Sequence, residues 1–436
     1  MIYLKKLFAE KWHSSLIYAK ALGKWMFVSA AIGVLCGILG SAFHLGVDDA
    51  TRLRESYPWL IWLLPFIGLA IVGLYSLLGV NGHSTNSVIS EVQSGRGLKL
   101  DLIPAVFVST LLTHLCGGSV GREGAALQMG GTIGFKVGSF LKLDDRDRRT
   151  ATLAGMAAFF SALFGTPIAA TIFAMAVISV GLLYHAALIP CLVSSITAYG
   201  ISILLGVTPS HYNVIVPALG IMMLLKVSVL AVLCAFISSF FCSFLHKTEF
   251  YMEKLFPNAY IRAAVGGLVI LGLSLLFSGG DYNGTGSRVI SRAIENGLVS
   301  PPAFILKILF TSLSLAAGFK GGEVVPSFFI GATFGCLVGP ALGIPAGFAA
   351  SVGLIAVFCG AVNCPIASTF LALELFGANG ILYYALACAV SFVMSGYNGL
   401  YSSQRILYDK LKAQYIDVHT NAHREGEHTQ MEEKYR

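Results

Sequence analysis

The chain has 436 residues, of which 56% are hydrophobic and 12% charged, with 48 glycines and a net charge of +7. A soluble domain carries about 25% charged residues, so this composition excludes a water-solvated globular protein and predicts a polytopic membrane protein. The positive excess is read as membrane topology, and no nucleic-acid partner is expected.

Residues 1–24 read as an amphipathic basic helix carrying Lys5, Lys6, Lys11, Lys20 and Lys24. A signal peptide would have a shorter charged start and a small-residue cleavage site. The lysines place this end in the cytoplasm, and Lys410 and Lys412 place the C-terminus there too. Apolar stretches follow at 26–47, 60–78, 186–205, 221–245 and 381–394, approaching the roughly 20 residues that span a bilayer. Between them lie segments of uneven length broken by glycine, at 100–117, 124–141, 151–164, 167–183, 326–342 and 346–360. Interrupted helices at membrane depth are tolerated where freed backbone groups face protein or a water-filled path. An all-α multi-pass transporter or channel in the cell membrane is therefore expected.

Four regions are expected: a helix at 1–24, membrane repeats at 25–205 and 206–409, and a tail at 410–436. The repeat shows in Gly121-Arg122-Glu123 and Gly321-Gly322-Glu323, each followed by an apolar helix, with Gly131 and Gly331 keeping that register. Phe164-Gly165-Thr166-Pro167-Ile168-Ala169-Ala170 is similarly answered by Val362-Asn363-Cys364-Pro365-Ile366-Ala367-Ser368. Related halves suggest transport at their interface; the pattern leaves open whether they are inverted. The tail reads as a helix end followed by disorder, with His419, His423 and His428 solvated or metal-binding. The nine cysteines lack paired spacing and read as packing residues. Neither a structural metal nor a cofactor is expected.

Glu123 lies in Gly117-Gly118-Ser119-Val120-Gly121-Arg122-Glu123-Gly124 before an apolar helix. The free N–H groups and positive dipole end of such a helix attract anions. A carboxylate there competes with a bound anion and, once protonated, swings away. An ordinary first-turn glutamate is the bland reading; an ionisable group at membrane depth is usually functional.

The Gly-Arg-Glu-Gly run, the Pro-Ile-Ala repeats and Leu400-Tyr401-Ser402 resemble the CLC chloride channel and transporter family, from about Lys24 to Leu411. The resemblance implies paired inverted halves, a homodimer with one pore per subunit, Glu123 as the external gate and proton carrier, and Tyr401 as a hydroxyl donor to the anion. Gly121, Arg122, Gly124, Val324 and Val325 are the remaining motif positions that this likeness assigns to the anion site. Arg122 also reads as a brace for loops or the dimer.

Three departures matter. The family's Gly-Ser-Gly-Ile-Pro loop is replaced by Gly82-His83-Ser84-Thr85-Asn86-Ser87, Gly-Arg-Glu-Gly is followed by Ala125, and the second-half motif reads Gly322-Glu323-Val324-Val325-Pro326. This combination resembles the bacterial fluoride/proton antiporter branch. Fluoride holds its water tightly and needs strong donors in exchange, which Ser84, Thr85, Asn86 and Ser87 would supply. The same residues are favoured caps for a helix starting at Val88, and both readings stand. The family's internal proton-transfer glutamate falls at Ala176–Val177, so Glu323 is assigned a possible place on the proton path; pairing with Lys320 or Lys307 is the structural alternative. Glu374 sits inside an apolar helix with no assigned role.

The segment 144–149 reads as a solvated cytoplasmic loop and 281–286 as a glycine-rich turn. Buried His44 and His114 stand alone, as does His185, and no catalytic signature is present, so an enzyme is not expected. Fluoride export coupled to proton entry is the leading expectation. A chloride/proton antiporter or passive chloride channel on the same scaffold is the alternative.

Overall fold

The computed structural model describes residues 2–95, 97–277, 280–412 and 414–421, with side chains from Ser15 onward except Ile17. The first half runs through α1 (Ile2–Ser56), α2 (Leu64–Leu77), α3 (Thr85–Ser94), α4 (Leu102–Leu115), α5 (Glu123–Phe140), α6 (Asp145–Phe164), α7 (Pro167–Ala176), β1 (Ser179–Val180) and α8 (Leu188–Leu204). The second half comprises α9 (Ile221–Leu255), α10 (Ala259–Leu276), α11 (Ser287–Ser291), α12 (Ala303–Ala316), α13 (Val324–Val338), α14 (Ala346–Val362), α15 (Pro365–Phe376) and α16 (Ile381–Met394), followed by β2 (Arg405–Tyr408) and β3 (Tyr415–His419). Six described helical stretches are long and apolar enough to cross a membrane. The expected span at 381–394 is α16, which has only 14 residues, whereas Ala259–Leu276 is an additional candidate.

The core is built on close helix pairs at places where only glycine fits. Gly130 and Gly134 of α5 lie against the backbone of Gly155 and Ala151 in α6, and Gly331 and Gly335 of α13 lie against Gly353 and Ala349 in α14. Small residues at such crossings let backbones approach within the membrane. Phe159, Phe173, Phe328 and Phe358 fill the space around them, all buried.

The halves are inverted. Gly121 and Gly322 form an antiparallel bridge, Gly121 N donating to Gly322 O (2.7 Å) and Gly322 N to Gly121 O (2.9 Å). Glu374, near the end of α15, accepts from the amides of Ile168 (2.9 Å) and Ala169 (2.8 Å) at the start of α7. At the other ends of these helices, Gln404 Nε2 donates to Val177 O (2.9 Å) and Val362 O (3.0 Å). The two Pro-Ile-Ala helices thus run antiparallel, and Glu374 caps one with the carboxylate of the other.

The bridge also corrects the register of the repeat by one residue. The bridge pairs Gly121 with Gly322, the N-caps are Arg122 and Glu323, and the helices start at Glu123 and Val324. Gly130, rather than Gly131, matches Gly331 in touching the neighbouring helix backbone; Gly131 faces Val88 and Met156. Glu323 therefore corresponds to Arg122, and Glu123 to Val324.

One face gathers the first turn of α6, the end of α3 and the segment after Tyr401. Lys24 pairs with Asp147, Arg149 lies beside Gly95 after α3, and Gln93 of α3 donates to Ser403 O (3.0 Å). The basic segment is not a separate helix: α1 continues through it to Ser56, and no proline intervenes. The side chains of Lys5, Lys6 and Lys11 lie outside the described set, as do His423 and His428. The stretch 144–149 is not a loop but the first turn of α6, where the Asp144 side chain accepts from Asp147 N (2.8 Å). The expected helix end at 410 is replaced by a hairpin, β2 with β3, in which the Arg405 guanidinium pairs with Asp417. Its turn is closed by Asp409, which takes the Tyr397 hydroxyl and the amides of Leu411 (2.7 Å) and Lys412 (2.8 Å). These bonds hold its carboxyl below the usual range. Lys410 folds inward, donating to Phe392 O (2.9 Å) and Ser395 Oγ (3.2 Å).

The glycine contacts give a direct test. Gly155→Val forces α5 and α6 apart, with a loss of about 1–3 kcal/mol typical of overpacking, read as a lowered Tm in detergent. Gly73→Ala, whose Cβ would meet nothing within 4 Å, leaves Tm unchanged or raises it.

Candidate anion and proton site

The loop ahead of α5 is held from three sides. Gly117, at φ +89, takes a conformation that side chains rarely adopt. Its carbonyl accepts from Asn283 Nδ2 (2.6 Å), Gly118 O accepts from Gly284 N (3.0 Å), and Ser119 N donates to Ser314 Oγ (3.0 Å). Buried Lys307 secures the turn at 281–286 by donating to Tyr282 O (3.1 Å) and Gly284 O (2.6 Å). Lys307 is thus engaged with backbone rather than with Glu323.

This bracing delivers Glu123 to the point where the starts of α5 and α13 converge. Glu123 is fully buried. Oε1 accepts from Val324 N, the first amide of α13, and Oε2 accepts from Arg122 N (2.8 Å). No cation pairs with it among the described residues. Helix dipole ends and free amides carry the compensation, equivalent to roughly half a positive charge per helix start. Gly121 and Gly322 complete the cradle: a Cβ on either would fall within 2.7 Å of Glu123 Cδ.

The Arg122 guanidinium turns the other way. Nη1 reaches Asp48 Oδ1 (3.3 Å), and the group lies over the Phe164 ring at 5.7 Å. Asp48 also meets His44 Nε2 (3.2 Å), so His44 does not stand alone. Arg122 thus ties the loop ahead of α5 to α1. It lines a cavity of about 200 Å³ with Asp48, Arg54, Glu55, Asp281 and Arg288.

On the face where α3 meets the segment after Tyr401, the serine-rich loop divides. The helix begins at Thr85, not Val88, because Ser84 N donates to Ser87 Oγ (3.2 Å) and Ser87 N to Ser84 O (3.0 Å). Ser84 is exposed, and Asn86 accepts from Ser403 N (3.1 Å), tying α3 to the segment after Tyr401. Only Thr85 of the four is buried, its hydroxyl 3.5 Å from Gly124 O and 3.4 Å from Gln128 Nε2. Tyr401 is 1% exposed, and its hydroxyl has no hydrogen-bond partner among the described residues. It lies within electrostatic range of Glu323 and Glu123. Val324 and Val325 are buried.

A second cavity of about 120 Å³ reaches inward from this face to Glu323, whose Oε2 is buried without a partner. Lys320 lies over the Tyr75 ring at 4.5 Å rather than on Glu323. Gln128, absent from the sequence reading, lines the same cavity with an unpartnered Oε1. One apolar turn beyond Glu123, a lone amide was the available signal. No group of three or more metal-ligating side chains occurs among the described residues.

The structure therefore brings together Glu123, Gly121, Gly124, Val324, Glu323 and Thr85 around one junction. Ser84 and Ser87 serve the helix cap, Asn86 a brace, and Arg122 contributes its amide.

Comparison with known proteins agrees with this architecture. The family model described as voltage gated chloride channel matches residues 78–396. The chain is 35% identical over 399 residues to a chloride/fluoride channel protein of Pseudomonas syringae pv. tomato, covering 89% of this chain and 88% of that protein. It is 25% identical to an H(+)/Cl(-) exchange transporter of Yersinia pestis, at 80% coverage of each. The crystal structure of a CLC-type fluoride/proton antiporter matches with TM-score 0.84 and 34% identity, over 88% of this chain and 98% of that one. A slow cyanobacterial Cl-/H+ antiporter shares the fold at TM-score 0.71 and 19% identity, over 85% and 94%. With the helix starts, glycine loops and inverted halves in place, the chain belongs to the voltage-gated chloride channel family and is a membrane transport protein, not an enzyme.

Proposed function

We propose that this protein is a fluoride/proton antiporter that exports fluoride from the cytoplasm as protons enter. The observation that carries the reading is Glu123, a fully buried carboxylate held by helix-start amides instead of a cation. Amides that hold a carboxylate also hold a halide, so the two compete for one place. Protonation removes the charge that the dipoles favour, and the neutral side chain leaves. One group thus alternates with the anion and carries H⁺. Fluoride rather than chloride is favoured by the likeness to proteins described as acting on it and by the rewritten loop, where Thr85 places a hydroxyl beside the junction. The free Tyr401 hydroxyl is a further donor.

Glu323 is the acid next along the path. Its unpartnered oxygen and its place in the inner cavity suit a proton station between Glu123 and the cytoplasm. The positive-inside rule makes the face that carries Lys24, beside Asp147, cytoplasmic. The family resemblance supports a homodimer in the plasma or inner membrane, each subunit with its own path.

Proteoliposomes loaded with fluoride or chloride test the reading, with efflux and proton uptake followed by electrodes. Fluoride efflux is expected to drive proton uptake, and chloride to move poorly. Passive chloride movement without protons would favour the channel alternative and sink the proposal.

Glu123→Gln should abolish proton uptake and lower fluoride efflux by roughly 100-fold or more, as expected for loss of an essential acid–base group. A Gln variant that still moves protons against a gradient refutes the assignment. Gly322→Ala should block the docked carboxylate and slow turnover while the protein remains folded by size-exclusion chromatography. Glu323→Gln should suppress proton movement and fluoride turnover together; unchanged coupling would remove it from the path.

A further inference from the structure

The inner cavity has a chemistry that does not match a simple anion vestibule. Its two unpartnered atoms, Glu323 Oε2 and Gln128 Oε1, are buried hydrogen-bond acceptors. A bare halide offers them nothing, and beside an ionised carboxylate it is repelled. Water offers both a donor, and buried polar groups need such a partner. The volume of about 120 Å³ admits a small chain of waters.

The mouth of this cavity is formed by α9, which presents His246 and Glu249 one helical turn apart. His246 is committed: its Nε2 lies 3.0 Å from Gly399 O and 3.1 Å from Asn421 Nδ2. Glu249 is exposed and makes no ion pair among the described residues. Lys320 lines the same cavity but stacks on Tyr75, and its charge interacts with Glu249 without forming a salt bridge. Glu249 and Glu323 are thus two carboxylates lining one polar space, and they interact electrostatically.

We propose that Glu249 is the cytoplasmic proton relay for Glu323, acting through water in the cavity that they share. This rests on the reading of Glu323 as a proton station. Each transfer balances: the proton on Glu323 passes to a cavity water, that water gives one of its protons to the Glu249 carboxylate, and Glu249 releases it to bulk solvent. Gln128 orients the water through its free carbonyl oxygen. No fluoride is required in the cavity for the transfer.

The test uses the full-length protein in proteoliposomes, with fluoride efflux read at a fluoride electrode in weak buffer and again with concentrated HEPES on both sides. Glu249→Gln should slow efflux by roughly tenfold in weak buffer, the low end of what a proton-transfer group contributes. HEPES should restore most of it, because a mobile buffer replaces the lost relay. Glu249→Asp should stay near wild type, and so should Lys247→Gln on the same turn. Wild-type turnover of Glu249→Gln in weak buffer overturns the proposal, and so does a slow variant that HEPES fails to rescue, since a structural defect is blind to buffer. Glu323→Gln, run alongside, separates the premises: if it transports normally the Glu323 reading falls, whereas a dead Glu323→Gln with a normal Glu249→Gln removes only the relay.

Discussion

A buried carboxylate with no cation paired to it among the described residues is the constraint around which this molecule is arranged. Leaving Glu123 charged in an apolar interior would be costly without compensation. The compensation comes from amides at the starts of α13 and α5, including Val324 N and Arg122 N. Those amides are free because a helix start always leaves some without partners. They meet at one point because the Gly121–Gly322 bridge joins the two halves there.

Under the proposed mechanism, holding a carboxylate by dipoles instead of a cation suits a group that exchanges with an anion. A direct Arg–Glu pair in a dry site is broken only at a cost of several kcal/mol. Arg122 is adjacent in sequence, yet its guanidinium is drawn away to Asp48 and Phe164. The result keeps the positive helix ends at the carboxylate and leaves it without an ion pair among the described residues. Buried Lys307 follows the same rule, spending its charge on the carbonyls of Tyr282 and Gly284 to stiffen the loop from behind.

The scaffold is symmetric where it packs and asymmetric where chemistry is needed. Matched glycines bring α5 onto α6 and α13 onto α14, and matched Pro-Ile-Ala helices run antiparallel with Glu374 and Gln404 closing their ends. At the centre, Arg122 corresponds to Glu323 and Glu123 to Val324. One half provides the buried carboxylate, and the other provides the Val324 amide that holds it, with a second acid, Glu323, lining the inner cavity.

Sequence alone determined the membrane class, the glycine-broken helices and the family, and it singled out Glu123 as an acid ahead of an apolar helix. Those properties follow from composition and from short motifs with local physical meaning. Tertiary structure decided which donors reach the junction. From its residue types the loop 84–87 reads equally as donor set or cap, and the fold resolves it by sending Ser84 and Ser87 to the cap, Asn86 to Ser403 and Thr85 inward. It also decided the register of the repeat, because Gly321 and Gly322 are interchangeable in a pattern, whereas only one of them pairs with Gly121. Gln128, Glu249 and the His44–Asp48–Arg122 chain were invisible for the same reason: their partners lie far away along the chain, and only folding places one side chain beside another.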